Sequence, residues 1–298
     1  MLSATLLRLA LEAAALLIRA LPSRLAYALA DLAGRAWYRF APKRRALVAA
    51  NLARVCEFTG RPTSGRAFRR LVRRAFVEHA RYYVELLRAP DYAFDEIDAI
   101  VQVDGWPRIE QTLRAGGTVL TSAHLGNFEP MGIFFAAHGF APVAPIEEIE
   151  PRVLFEFLLR HRGGGRGVEI VPLSRARRRM LEVLKAGGIA GLIADRDLSR
   201  DGMPVSFFGH PTTMPTGPAT LAVLTGAPLI TGRCLRTAAD RFRAAGELLD
   251  VERSGERRAD VEALTRAMAA RFEEYIGETP EQWWGAFQPY WPDLGRPS

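Results

Sequence analysis

His124 and Glu129 stand five positions apart in the stretch TSAHLGNFEP, and both are residue types that can move protons. An imidazole with a pKa near about 6.5 can take a proton from an alcohol at neutral pH. A carboxylate brought back by a tight turn through Gly126 would hold the ring's other nitrogen and stabilise the imidazolium. That is a base and its orienter, without a nucleophile of their own. Spacing alone leaves a rival reading ahead, a structural histidine beside a glutamate at a helix start. There is no G-x-S-x-G elbow and no Walker loop. Cys56, Cys234 and the remaining histidines (His79, His138, His161, His210) form no metal-ligand spacing, so no metal is expected.

The elements that would have to position this pair begin near residue 100. Gly117–His124, Gly188–Asp195 and Ala227–Leu235 are apolar runs of buried-strand length; Val168–Leu173 is a fourth, and Val143 belongs to a fifth. Between them PRIEQTLRAGG, PRVLFEFLLRH, ARRRMLEVLKAGG and GPATLAVLTG have helical periodicity, mostly ending near glycine. This alternation predicts an α/β layered sheet flanked by helices. His124 then lies at the carboxyl end of a strand, where open α/β sheets place ligands. HRGGGRGVE (161–169) follows no strand and leads into no helix, which excludes a dinucleotide loop.

The first forty residues differ from the rest. In LSATLLRLALEAAALLIRAL (2–21) the charges Arg8, Glu12 and Arg19 fall on one narrow stripe of a helical wheel, and the remaining surface is apolar. The uncharged run is too short to span a bilayer, and Glu12 interrupts any secretory signal, so an interfacial amphipathic helix is expected. Charge supports an anionic surface as its partner. The net +7 divides into 17 basic against 5 acidic side chains over residues 1–90 and a mildly acidic remainder. Arg69, Arg70, Arg73 and Arg74 repeat at helical spacing, with no aromatic-plus-basic motif that would indicate nucleic acid. The expected organisation is a membrane-associating helical segment over 1–40 and a catalytic domain over 41–298.

HLGNFE resembles the H-x-x-x-x-D/E motif of bacterial membrane-lipid acyltransferases, in the branch that holds the late lipid A and phosphatidylinositol mannoside acyltransferases. LIADRDLSRDGMPVSFFGHPTTMPTGPATLAVLTGAPL (192–229) and TPEQWWGAFQPYW (279–291) resemble the same branch. The resemblance implies a glycerolipid-acyltransferase-like α/β fold and direct transfer of a fatty acyl group from acyl-CoA or acyl carrier protein to a lipid hydroxyl. It needs no cofactor beyond that donor. On it, His124 is the general base and Glu129 its partner, while Asp195 matches an acidic position beside the site. Asn127, Arg162, Asp195 and Arg196 are the expected substrate contacts, and Phe128 and Phe208, with Phe207, the candidates for an acyl groove. The phosphate-binding F-P-E-G-T-R motif of glycerol-phosphate enzymes is missing, and QPYW resembles the mannoside-type ending. The expected acceptor is therefore a glycolipid of phosphatidylinositol mannoside type, at the cytoplasmic face of the inner membrane. A lipid A acceptor and a non-catalytic lipid-binding role are the alternatives.

Overall fold

A computed structural model describes residues 4–162, 167–198 and 201–294. The glycine-rich run at 163–166 and positions 199–200, within two of the stretches read above, lie outside these, as do residues 2 and 3. Four helices open the chain: α1 (Ala4–Ala20), α2 (Ser23–Phe40), α3 (Pro42–Phe58) and α4 (Gly65–Arg88). Proline at the first turn of α3 fits there, because that amide has no intrahelical acceptor. In α4, Phe68, Val72, Ala75, Phe76, His79, Tyr82 and Leu86 recur three and four apart and are buried. Gly34 of α2 meets this helix so closely that a Cβ would lie 2.6 Å from the Val77 Cα. Only a glycine lets the two backbones approach in this way.

A short helix α5 (Ile97–Ile100) leads into strand β1 (Val101–Asp104), and α6 (Trp106–Ala115) and β2 (Thr118–Ser122) follow. Next come α7 (Glu129–Ala137), β3 (Val143–Ile146), α8 (Arg152–His161), β4 (Glu169–Pro172), α9 (Leu173–Lys185) and β5 (Ile189–Ile193). A hairpin of β6 (Met203–Phe207) and β7 (His210–Met214) precedes α10 (Gly217–Thr225). Then β8 (Leu229–Ala238), β9 (Arg241–Leu248) and α11 (Arg257–Glu278) complete the regular elements. The seven-stranded sheet has the order β1-β9-β8-β2-β5-β3-β4. From β8 to β4 it is parallel; β9 runs antiparallel to β8 and carries β1 beside it. This is the α/β layered sheet with an N-terminal helical extension that the sequence predicts.

Side chains alternate across the sheet as a strand requires. Val119, Val143, Ala190 and Leu229 pack against α9, α10 and α11 on one face. Leu120, Gly191, Ala144 and Ile230 point to the other, towards α6, α7 and α8. Beyond α11 the chain returns across the molecule in 3-10 turns at Pro280–Gln282 and Trp284–Phe287. Asn51 of α3 fastens that return by donating to the carbonyls of Ala286 (2.7 Å) and Gln288 (2.8 Å).

His79 marks this junction. Its ring stacks on Phe287 at 4.3 Å, and its Nδ1 is buried without a hydrogen-bond partner. Burial, helped by the positive charge of Arg44, pushes its pKa down to about 3. The sign follows from proton binding: below about pH 6.5 the unfolded chain takes up a proton that the native ring refuses, so stability falls as pH drops towards 3. The expected slope is at most about 1.4 kcal/mol per pH unit. Replacing His79→Phe is expected to flatten it, as denaturant unfolding at a series of pH values will show.

Candidate active site

His124 sits just past the end of β2, and its Nδ1 is hydrogen-bonded to Oδ1 of Asp195, which follows β5. Asp195 is wholly buried. Its second oxygen accepts from Trp283 Nε1 at 3.1 Å, and its backbone carbonyl accepts from the Tyr290 hydroxyl. Burial by itself would raise the carboxyl's pKa. Attraction and hydrogen bonding from His124, with the Trp283 bond, outweigh it and hold the group below the usual aspartate value. An ionised carboxylate only accepts, so Nδ1 carries a proton, and in the neutral ring Nε2 is the nitrogen left to accept one. Trp284 packs edge-on against the ring at 4.4 Å, and its backbone N–H donates to the His124 carbonyl at 2.9 Å. The imidazole is thus fixed in position and tautomer, and His124 lines the cavity described below.

The carboxylate on the ring is Asp195, which corrects two expectations. Glu129 does not orient His124. As the first residue of α7 it points towards α4, where its Oε1 lies 3.2 Å from Arg162 Nε and 3.5 Å from the Tyr82 hydroxyl. Arg162 also donates to that hydroxyl at 2.9 Å. Asp195, for its part, is wholly buried and does not line the cavity, so it is not placed to touch a substrate. Asn127 is likewise committed: it is fully buried, its Nδ2 donates to Glu85 (2.8 Å), and its Oδ1 accepts from the Glu129 amide (2.9 Å). It holds the turn into α7 and does not line the cavity.

The turn between His124 and α7 is clamped on two sides. Gly126 has φ +63, and a Cβ there would lie 2.0 Å from the Cys234 carbonyl. Its N–H bonds the Gln282 carbonyl (3.0 Å), and the Asn127 N–H bonds that of Cys234 (2.8 Å). Beneath the turn lies a buried ionic cluster. Arg236 of β8 reaches both Glu85 and Glu78 of α4, with Nη2 2.8 Å from Glu85 Oε2, and Tyr27 of α2 donates to Glu85 at 2.9 Å. Such a cluster holds its geometry because every charge needs every partner.

A cavity of about 510 Å³ opens beside His124 and runs between the sheet and helices α6, α7 and α8. That size suits a small-molecule or lipid-chain site. Leu120, Ile146, Ile170, Ile230, Met131 and Phe135 give it apolar walls. Phe128 and Arg162 line it together, with the guanidinium 5.8 Å from the ring centroid. Arg196 also lines it and makes no hydrogen bond or ion pair among the described residues, so its charge is available to an anion. Phe208 is elsewhere. It occupies the β6–β7 turn at φ +50 and packs in the core against Phe58, Phe207 and Trp283, so it forms no part of this wall; Phe207 shares that core. Among the described residues no group of three or more His, Cys, Asp or Glu side chains converges as metal ligands would.

Arg236→Met would leave Glu78 and Glu85 buried without their cation. We expect a loss of about 3–5 kcal/mol in denaturant unfolding, partly restored by adding Glu85→Gln, since removing one member strands the others.

Comparison with known proteins gives the family. The family model described as bacterial lipid A biosynthesis acyltransferase matches residues 4–291. The phosphatidylinositol mannoside acyltransferase of Mycobacterium tuberculosis is 35% identical over 222 residues, covering 72% of this chain and 67% of its own. That of Mycolicibacterium smegmatis is 33% identical over 227 residues, covering 74% and 72%. This chain belongs to the bacterial lipid A biosynthesis acyltransferase family and is an acyltransferase.

Proposed function

We propose that the enzyme transfers a fatty acyl group from the thioester of acyl-CoA or acyl carrier protein to a hydroxyl of a membrane glycolipid of phosphatidylinositol mannoside type. The observation that carries this reading is the His124–Asp195 pair at the mouth of an apolar cavity. The acceptor O–H gives its proton to His124 Nε2 as its oxygen attacks the thioester carbonyl. The C–S bond then breaks, the thiolate takes the proton from the imidazolium, and an ester and a free thiol remain. Asp195 stabilises the imidazolium between these steps. Arg196 and Arg162, both at the cavity, suit the anionic parts of donor or acceptor. The relatives' names support the mannoside acceptor, while the family description keeps a lipid A acceptor as the second reading.

The N-terminal helices support work at a membrane surface. Among the described residues no helix is long and apolar enough to cross a bilayer. Two of the three charges of helix α1 pair with the rest of the protein, Glu12 with Arg160 at 2.6 Å and Arg19 with Asp91. Leu9, Leu16 and Leu17 are therefore left 60% or more exposed, and Leu32 and Phe40 of α2 extend the apolar surface. Exposed leucines in this number fit burial in lipid. With the basic side chains Arg69, Arg70 and Arg73, also exposed, they suit an anionic leaflet such as the cytoplasmic face of the inner membrane.

Two measurements test this. In transfer of labelled acyl groups to extracted glycolipids, Asp195→Asn is expected to lower kcat about 10³–10⁴-fold, as an orienting aspartate does elsewhere, and His124→Ala at least as much. Glu129→Gln should act chiefly on stability through the stranded Arg162. A wild-type rate in His124→Ala would end the assignment of the base. In co-sedimentation with anionic liposomes, Leu9→Glu combined with Leu16→Glu should weaken binding at least about tenfold, equivalent to about 1.4 kcal/mol.

A further inference from the structure

Gly191 occupies the middle of β5, a position where glycine weakens a strand and where its presence often marks close approach of a ligand. Neither backbone conformation nor crowding requires it here. Its φ is not in the left-handed region, and a Cβ would meet nothing nearer than the Val143 carbonyl at 3.9 Å. Two other glycines of the same cavity wall differ. A Cβ on Gly232 would press the Ala245 carbonyl at 3.1 Å, and one on Gly246 would press Ile230 Cγ2 at 3.3 Å. Packing accounts for those two, against backbone at Gly232 and against a side chain at Gly246. The room above Gly191 is filled by no protein atom and belongs to the cavity.

The strand register shows where this gap lies. Gly191 pairs with Leu120 of β2, and Ala190 with Val143 of β3, which sets Ala144 beside Gly191 on the cavity face. Leu120 and, beyond Ala144, Ile170 carry full side chains on either side. Gly191 and Ala144 thus form a bare trough in an otherwise bulky row. Leu120 is four residues before His124, so the trough lies about 13 Å below the reacting imidazole at about 3.3 Å per residue.

We propose that Gly191 determines which acyl chains the enzyme accepts, by keeping open the deep part of the cavity that the end of a long alkyl chain must enter. Short chains end above this level and do not sense it. The inference rests on reading the cavity as the acyl site, so the test separates binding from turnover. Alkyl thioethers of pantetheine, the portion that CoA and carrier protein share, serve as probes with octyl, dodecyl and hexadecyl chains. Calorimetry with full-length wild type, Gly191→Ala and Gly191→Leu gives their affinities, and unfolding curves confirm that each variant is folded. Gly191→Leu is expected to weaken the hexadecyl probe at least about tenfold while leaving the octyl probe within about twofold, with Gly191→Ala between. Equal loss for all chain lengths, or no loss for any, overturns the inference. A length-selective loss in a protein that transfers no acyl group would uphold Gly191 and overturn the acyl-transfer reading. Transfer with an unchanged chain-length profile would do the reverse.

Discussion

A carboxylate with no exposed surface must be satisfied from every side, and Asp195 is in that position. Three segments remote in sequence meet that demand. The end of β5 supplies the aspartate, the end of β2 supplies the imidazole, and the return after α11 brings Trp283 and Tyr290. Remove any one and a buried charge loses part of its solvation. The same bonds that make the aspartate tolerable also fix the histidine's tautomer. Stability and chemistry are therefore not in competition at this residue.

The turn that carries His124 towards α7 has its own support. Gly126 and Asn127 lie against the Cys234 carbonyl, and Asn127 joins the ionic cluster through Glu85. That cluster spans α2, α4 and β8, so the N-terminal helices bear on the site through charge as well as packing. Glu129 and Arg162 form a second pair on the far side of the turn, next to Tyr82 and Phe128. The H-x-x-x-x-E pattern thus encodes a histidine held by Asp195 and a wall residue paired with Arg162, not two side chains in contact.

Much of the fold was legible because its determinants are local. Buried parallel strands read as apolar runs, and β2, β3, β4, β5 and β8 fall where those runs stand. Strand β9 (RFRAAGEL) was not, since an antiparallel strand with charged and small residues gives no such run, and β1 is only four residues long. His124 was legible from its strand-end position. Its true partner was not, because Asp195 lies 71 residues away and pairing at that distance depends on the β2–β5 register. Glu129 misled through proximity in sequence, which a helix start then redirected. Phe208 was drawn to the site by the resemblance of its block, yet the hairpin turn carries the ring into the core. The tryptophans at 283 and 284 stood in a stretch singled out for its likeness, but nothing in the sequence shows that one bonds Asp195 and the other packs against the His124 ring.

The returning segment also sets an order in time. A ribosome releases α1, with its leucines, long before residues 283 to 290 emerge. Until they do, Asp195 lacks its indole and phenol donors, His124 lacks the Trp284 lid, and Asn51 has no carbonyls to hold. The setting that holds His124 and Asp195 becomes whole only once residues 283 to 290 have been made, long after the helices that pack around it.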